Sequence, residues 1–261
     1  HVNIYYLLLA ILLNIPQLFI KAYRWNLLLR RQKIIYPIMQ SFLIYMSSVY
    51  IGFITPGRVG EFVKVLYLKY DRGISISKGL PSVLVDRLFD LYLLVILSLI
   101  GIWKFDIFAE LSLYFLVLIV ITILSPIIIL NRMFLESFAS ILYKLSARKK
   151  NKDRIEGHFS DFYNELQRLI DFRLFFSGSL TCVSYLIFFI QCYLLTIAMG
   201  LSISFVTIAL FMAISNLISF MPISISGLGT RDAVLIFLFF LIGLKPELAV
   251  IYAFLVFVNV F

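Results

Sequence analysis

The 261 residues contain just two cysteines and two histidines. The sequence has no zinc-ligand spacing, no Ser/His/Asp set, no Walker loop and no metal cluster. Structural zinc, triad hydrolysis and ATP-driven work are therefore not expected. Cys182 and Cys192 fall in one apolar run, ten residues apart. Ten helical residues rise about 15 Å, so the two do not bond to each other and say nothing of redox compartment. His158 lies in a basic loop and reads as solvated. The longest polar stretch, Asn131–Arg173, is too short to bury a core of its own. No cleavable signal pattern is visible, because Asn14, Pro16 and Gln17 interrupt the first apolar run and no small-residue cleavage site follows. The start at His1 rather than Met, and the end at Phe261 within an apolar run, read as a segment of a longer chain with room for an additional N-terminal span.

What the chain has is apolar sequence. Hydrophobic residues make up 62% of it, and the mean hydropathy is about +1, far above the soluble range. Apolar runs of roughly 17–25 residues recur, the length that crosses a ~30 Å hydrocarbon core. The net charge of +9 does not point to nucleic acid. The basic residues cluster beside apolar runs, as the positive-inside rule requires, where they favour anionic lipid headgroups.

The fold class expected is an all-α polytopic membrane protein, a single integral membrane domain over residues 1–261. About seven full spans are expected: Ile4–Ile20, Ile34–Phe53, Leu84–Trp103, Leu111–Leu130, Leu174–Met199, Ile203–Met221 and Leu248–Phe261. Two shorter stretches, Phe62–Tyr70 and Ala233–Gly243, cannot cross alone and read as re-entrant half-helices. With Phe62–Tyr70 returning to the side it came from, Lys21, Arg24, Arg30, Arg31 and Lys33 share the cytoplasmic side with Lys69, Arg72 and Lys78. The nine Lys or Arg of Asn131–Arg173 fall there too. The less basic loop Lys104–Glu110 falls outside. Residues 1–130 and 174–261 then form two halves joined by the basic segment 131–173, in which Phe134–Tyr143 and Phe159–Leu169 read as interfacial helices. The two chain breaks lie about 170 residues apart and enter from opposite sides, the arrangement of an inverted repeat with a site near the midplane.

Those breaks are Thr55-Pro56-Gly57-Arg58-Val59-Gly60-Glu61 and Ser226-Gly227-Leu228-Gly229-Thr230-Arg231-Asp232. Each puts helix breakers and an opposite-charge pair into oily sequence. A charged group at the bilayer centre costs at least ~2.5–3.5 kcal/mol. Arg58, Glu61, Lys64, Asp86, Arg87, Asp90, Arg231 and Asp232 together would cost on the order of 20 kcal/mol if exposed to lipid, so they must pair or line a wet cavity. Arg58 and Glu61 are expected to be neighbours at i, i+3. Asp86 and Asp90 at i, i+4 need a cation, a proton or an arginine such as Arg58 between them. Arg231 and Asp232 point about 100° apart on a helix, so each is expected to pair with another element. Gly57-Arg58 and Gly229-Thr230-Arg231 open half-helices whose free N–H groups and arginine forks suit a phosphate. The alternative is that these pairs are staples holding the broken helices. Tyr23, Arg24 and Trp25 read as an interface anchor. Asn14, Gln17, Gln191 and Asn216 read as interhelical hydrogen-bonders, with Asn216 and Gln191 able to line the cavity.

Four segments carry a resemblance: Arg24-Trp25, Pro56 to Glu61, Val85-Asp86-Arg87-Leu88-Phe89-Asp90 and Ser226 to Asp232. In order and spacing, from about Lys21 to Ala233, the chain resembles the lysylphosphatidylglycerol synthase transmembrane family, also called the flippase-like domain family. The resemblance implies a multi-span protein with re-entrant helices that binds and translocates a phospho- or glycolipid. Bifunctional members carry a soluble aminoacyl transferase domain after the membrane region. These 261 residues contain none, so lysine transfer is not assigned. The second motif usually has a Pro-Gly-Gly-like run and a glutamate after the arginine. Here Ile225-Ser226-Gly227 and Asp232 stand instead, which leaves headgroup preference open.

The expectation is a lipid translocase of the cell membrane, without cofactor or metal, moving an anionic phospholipid or a polyprenyl-phosphate-linked glycan. Substrate contacts are expected from Arg58, Arg231, Lys64, Arg87, Gly57, Gly227, Gly229 and Asn216, and charge pairing from Glu61, Asp86, Asp90 and Asp232. Oligomeric state is open, a homo-oligomer included. Two rivals stand beside it. One is an integral-membrane transferase, for which Asp161/Glu165 is the cytoplasmic acid pair. The other is a lipid-binding scaffold in envelope synthesis.

Overall fold

The structure is a computed structural model and describes residues 2–107, 120, 124, 152–172, 174–220, 224 and 227–260. Every regular element among the described residues is helical. In chain order they are α1 (Ile4–Leu12), α2 (Asn14–Arg31), α3 (Ile38–Ile54), a 3₁₀ turn (Val59–Phe62), α4 (Val63–Arg72), α5 (Ile76–Phe105), α6 (Lys152–Leu169), α7 (Leu174–Ala198), α8 (Phe205–Ser219), α9 (Thr230–Leu241) and α10 (Pro246–Val260). Apart from Val120 and Leu124, the expected span Leu111–Leu130 lies outside the described residues, as does the helix Phe134–Tyr143.

The ends of these helices follow from local chemistry. Asn3 caps α1 by accepting the Tyr5 N–H at 3.1 Å. Pro16 offers no N–H to the Leu12 carbonyl, and α1 gives way to α2 at Leu13. The first apolar run does not stop at Ile20 as its hydropathy suggests. It continues as helix to Arg31, because nothing between Lys21 and Arg31 breaks a helix. Ile4–Arg31 and Leu174–Ala198 are long and apolar enough to cross a membrane, whereas Ile38–Ile54, Phe205–Ser219 and Pro246–Asn259 are shorter. The third expected span starts eight residues early, at Ile76, and makes α5 a 30-residue helix. The half-helix Phe62–Tyr70 is seen as the 3₁₀ turn plus α4, and Ala233–Gly243 as α9.

The first break is a tight reversal. Pro56 forces Thr55 into an extended conformation, with φ −108° and ψ 140°. Gly57 and Arg58 then follow with φ of 60° and 56°. Positive φ suits the glycine and strains the arginine. The two arms pack so closely that a Cβ on Gly60 would lie 2.5 Å from the Ile51 carbonyl oxygen.

Burial is inverted relative to a water-soluble protein. Tyr5, Leu8, Leu12, Ile15, Leu43, Phe240 and Phe254 face outward, while Arg24, Lys64, Asp86 and Asp90 are at most 1% exposed. That distribution suits lipid outside and polar contacts inside. One apolar core joins α5, α7, α8, α9 and α10 through Leu94, Phe188, Phe211, Phe239 and Tyr252. A second joins α2, α3 and α4 through Trp25, Leu29, Tyr45 and Leu68. The apolar face expected on Phe159–Leu169 is present, but it docks on protein. Leu166 and Leu169, with Phe162, pack against Leu28, Val85, Phe89 and Leu174.

Several basic loops meet at one end. The Gln32 amide donates to the Lys78 carbonyl at 2.9 Å, and the Tyr36 hydroxyl donates to Asp71. Arg31 reaches the Leu169 carbonyl at 3.5 Å. At the opposite end the Asn3 N–H donates to the Ala198 carbonyl at 2.8 Å.

Candidate functional site

Below the reversal sits a buried ion network. Asp86 and Asp90 are one turn apart on α5, and Arg24 of α2 lies between them. Its Nε donates to Asp86 Oδ1 at 2.8 Å, and its Nη1 donates to Asp90 Oδ1 at 2.8 Å and to Thr181 Oγ1 at 2.7 Å. Its Nη2 reaches the Asp86 carbonyl at 3.0 Å. An arginine does separate the two carboxylates, but it is Arg24 rather than Arg58. The interface-anchor reading of Arg24 and Trp25 is also corrected, since both are 0% exposed. Trp25 Nε1 donates to Ser82 Oγ at 3.3 Å.

Lys64 is equally enclosed. Its Nζ lies 2.9 Å from Asp86 Oδ2 and 4.2 Å from the centre of the Tyr45 ring, an arrangement that adds cation–π attraction to the ion pair. Arg87 spans Glu61, at 2.6 Å, and Asp90, at 3.3 Å, and it also donates to the Tyr45 hydroxyl at 3.1 Å. Lys21 completes the set at 3.5 Å from Asp90, with its Nζ over the Tyr185 ring. Glu61 therefore pairs with Arg87 and not with Arg58. The left-handed backbone at Arg58 removes it from the helix face on which an i, i+3 pair would form.

Above this network is a cavity of about 80 Å³. Lys21, Arg58, Arg87, Arg231, Glu61 and Asn216 are among its polar lining, and Phe53, Tyr185 and Phe188 among its aromatic lining. The two motif arginines, from breaks far apart in sequence, thus reach one space. Arg58 stacks over the Phe53 ring at 5.2 Å, and its buried Nε has no hydrogen-bond partner. Of the expected substrate contacts, Arg58, Arg87, Arg231 and Asn216 line the cavity. Lys64 lies behind the wall, and Gly57, Gly227 and Gly229 shape the turns, with φ of 60°, 74° and 82°.

The second break differs from expectation in its pairing. Arg231 and Asp232 bond to each other, Nη2 to Oδ1 at 3.0 Å. The arginine side chain is long enough to fold back over its neighbour, and Asp232 is held in place by its own capping role. Asp232 Oδ2 accepts the Gly229 N–H at 3.1 Å. At the first break Thr55 Oγ1 accepts the Gly60 N–H at 2.7 Å. One N–H expected to face an anion is therefore already bonded at each break, and the cavity's donors are guanidinium, ammonium and amide groups. Pro222 and Ser226 lie outside the described residues.

Interhelical hydrogen bonds form as expected at Asn14, whose amide donates to the Asn259 carbonyl at 2.6 Å, and at Gln191, which accepts from Asn259 at 3.4 Å. Cys182 and Cys192 are both free thiols. Among the described residues no group of three or more His, Cys, Asp and Glu could hold a metal ion. Sequence reasoning missed Lys21, Thr181 and Tyr185 as site residues. For Lys21 a signal existed: Lys21, Arg24, Trp25 and Leu28 continue the helical spacing of the first run past its apolar end.

The sequence model describing the lysylphosphatidylglycerol synthase TM region matches residues 1–261. The chain belongs to this family. Two relatives are 26% identical. One is a UPF0104 membrane protein of Pyrococcus horikoshii, aligned over 95% of this chain and 80% of the relative. The other is a UPF0104 membrane protein of Methanothermobacter thermautotrophicus, aligned over 94% and 78%. No solved structure matches the chain. The family membership makes this a membrane protein, of a family linked by its description to lipid metabolism.

Proposed function

We propose that this chain is a multi-pass protein of the cell membrane that moves an anionic lipid between leaflets, holding the lipid phosphate in the cavity between Arg58 and Arg231. The observation that carries the reading is the convergence of both motif arginines on one cavity, with Arg58 free of any carboxylate partner among the described residues. A guanidinium fork suits phosphate oxygens. The acyl chains would remain among the outward apolar residues while the headgroup crosses through the cavity.

Two hairpins with opposite entry support alternating access. The α3–α4 hairpin begins and ends beside the basic loops, as the Gln32–Lys78 contact indicates. The α8–α9 hairpin starts from the other end, where α7 finishes. A Cβ on Gly101 would lie 3.0 Å from Ile214, and Phe105 stacks with Phe211 at 4.9 Å. Arg58, from the first break, and Arg231, just after the second, line the same cavity, which supports reading the two hairpins as an inverted repeat. The reading requires no cofactor and makes the lipid the partner.

The test is headgroup accessibility in proteoliposomes bearing fluorescent phospholipids or polyprenyl-phosphate lipids, comparing wild type with Arg58→Ala. Lipid movement is expected in wild type and is expected to be lost in the variant, with the fold retained. Wild-type rates in Arg58→Ala, or no movement of any lipid in wild type, would refute the proposal. Product formation in detergent without lipid movement would favour a transferase instead.

A further inference from the structure

We infer that the headgroup accepted by this cavity carries two negative charges on phosphate, as a phosphomonoester or a diphosphate does. The inference rests on the translocation site proposed above and follows from counting formal charge within it. Among the described residues six cations lie inside the bundle: Lys21, Arg24, Arg58, Lys64, Arg87 and Arg231. Four carboxylates face them: Glu61, Asp86, Asp90 and Asp232.

The excess can be located. Asp232 neutralises Arg231 at 3.0 Å. Arg24 and Lys64 take the shortest contacts to Asp86, at 2.7 and 2.9 Å, and Arg24 holds Asp90 at 2.8 Å. Arg87 has Glu61 at 2.6 Å. Lys21 is left with the longest contact to its carboxylate, 3.5 Å to an Asp90 oxygen it shares with Arg87. Arg58 has none among the described residues, and its Nε is buried without a hydrogen bond. The two surplus charges therefore belong to Lys21 and Arg58, and both residues line the cavity.

Surplus charge within apolar spans is costly until it is matched. A phosphate with a second ionisation near pH 6 supplies about two negative charges at neutral pH. A phosphodiester lipid supplies one. A zwitterionic headgroup supplies no net charge, and a lysylated headgroup adds positive charge to a site already positive. The preference expected is phosphomonoester or diphosphate over phosphodiester, and phosphodiester over zwitterion.

The experiment measures binding, without transport, by native mass spectrometry of the full chain with phosphatidic acid, phosphatidylglycerol and phosphatidylcholine in competition. Phosphatidic acid is expected to bind about tenfold tighter than phosphatidylglycerol, the size of one added charge-assisted contact. Two variants each subtract one charge, Arg58→Gln from the turn and Asn216→Asp from α8, which also lines the cavity. Each is expected to cut the ratio to about threefold or less. Asn216→Asp keeps the test open if Arg58→Gln does not fold. Inorganic pyrophosphate is the second arm. Displacement of phosphatidic acid by it assigns the preference to the phosphate alone, and failure to displace assigns it to a lipid-borne phosphate. Equal binding of phosphatidic acid and phosphatidylglycerol overturns the inference, as does a ratio unchanged in both variants. Selective binding with no lipid movement would overturn the translocation reading alone, and movement without selectivity would overturn this inference alone.

Discussion

Arg24 is the residue whose loss should damage the fold most. It is fully buried between Asp86 and Asp90 and makes hydrogen bonds to both, to Thr181 and to the Asp86 carbonyl. Arg24→Ala leaves two like charges one turn apart. Neither carboxylate is wholly orphaned, because Lys64 stays 2.9 Å from Asp86 and Arg87 stays 3.3 Å from Asp90. The cost is therefore that of breaking one buried pair, about 3–5 kcal/mol, rather than twice that. Arg24→Lys keeps the charge, but one ammonium cannot reach all the positions the guanidinium spans, so about 1–3 kcal/mol is expected. Adding Asp90→Asn to Arg24→Ala removes the worse-served carboxylate and should recover part of the loss. Cys192 provides the assay: it is 1% exposed, whereas Cys182 is exposed. In a Cys182→Ser background, thiol labelling across an equilibrium denaturant titration reports unfolding. A loss below about 1 kcal/mol for Arg24→Ala, the level of an exposed pair, would refute the reasoning. So would a double variant no more stable than the single.

Three further outcomes follow from other contacts. Gly60→Ala places a Cβ 2.5 Å from the Ile51 carbonyl oxygen and should cost about 1–3 kcal/mol by overpacking, measurable with the same thiol assay. Asp232→Ala removes the cap on the Gly229 N–H, costing about 1 kcal/mol, and releases Arg231, so retention of phosphatidic acid by the purified protein should rise. Tyr36 lies in the connection between α2 and α3, before the helix Ile38–Ile54, and burial together with its hydrogen bond to Asp71 pushes its phenol up to about 12 from 10.0. Its neutral form is the one the fold favours, so this stabilisation is complete below about pH 10 and is lost as pH rises through about 12. Ultraviolet titrations of wild type and Tyr36→Phe should differ by one tyrosine ionising near pH 12.

Some of the site was legible because charge inside apolar sequence has few acceptable resolutions. Arg58, Glu61, Asp86, Arg87, Asp90 and Arg231 stood out because each sits where an exposed charge would be costly. Arg24 and Lys21 did not, because they follow the first apolar run and there resemble the basic residues that flank any span. Hydropathy ends that run at Ile20, but helix propensity does not, and the helix brings both cations to Asp90 on α5. The α6 face was legible by its spacing, but whether that face met lipid or protein depended on a neighbour, here Leu28 and Val85.

The sequence by itself determined that the chain is a helical membrane protein, where it breaks, and that the charges of the two motifs and of Asp86–Asp90 must be satisfied internally. These follow from local properties: run length, backbone preference at Pro56 and the glycines, and the cost of charge in hydrocarbon. The tertiary structure alone decided who pairs with whom. Arg24 rather than Arg58 separates the aspartates, Glu61 goes to Arg87, and Arg231 stays with Asp232. Ion-pair strength depends on distances of a few ångströms between helices distant in the chain, and no spacing rule within one helix reports them. That pairing also leaves Lys21 and Arg58 as the surplus cations on the cavity wall.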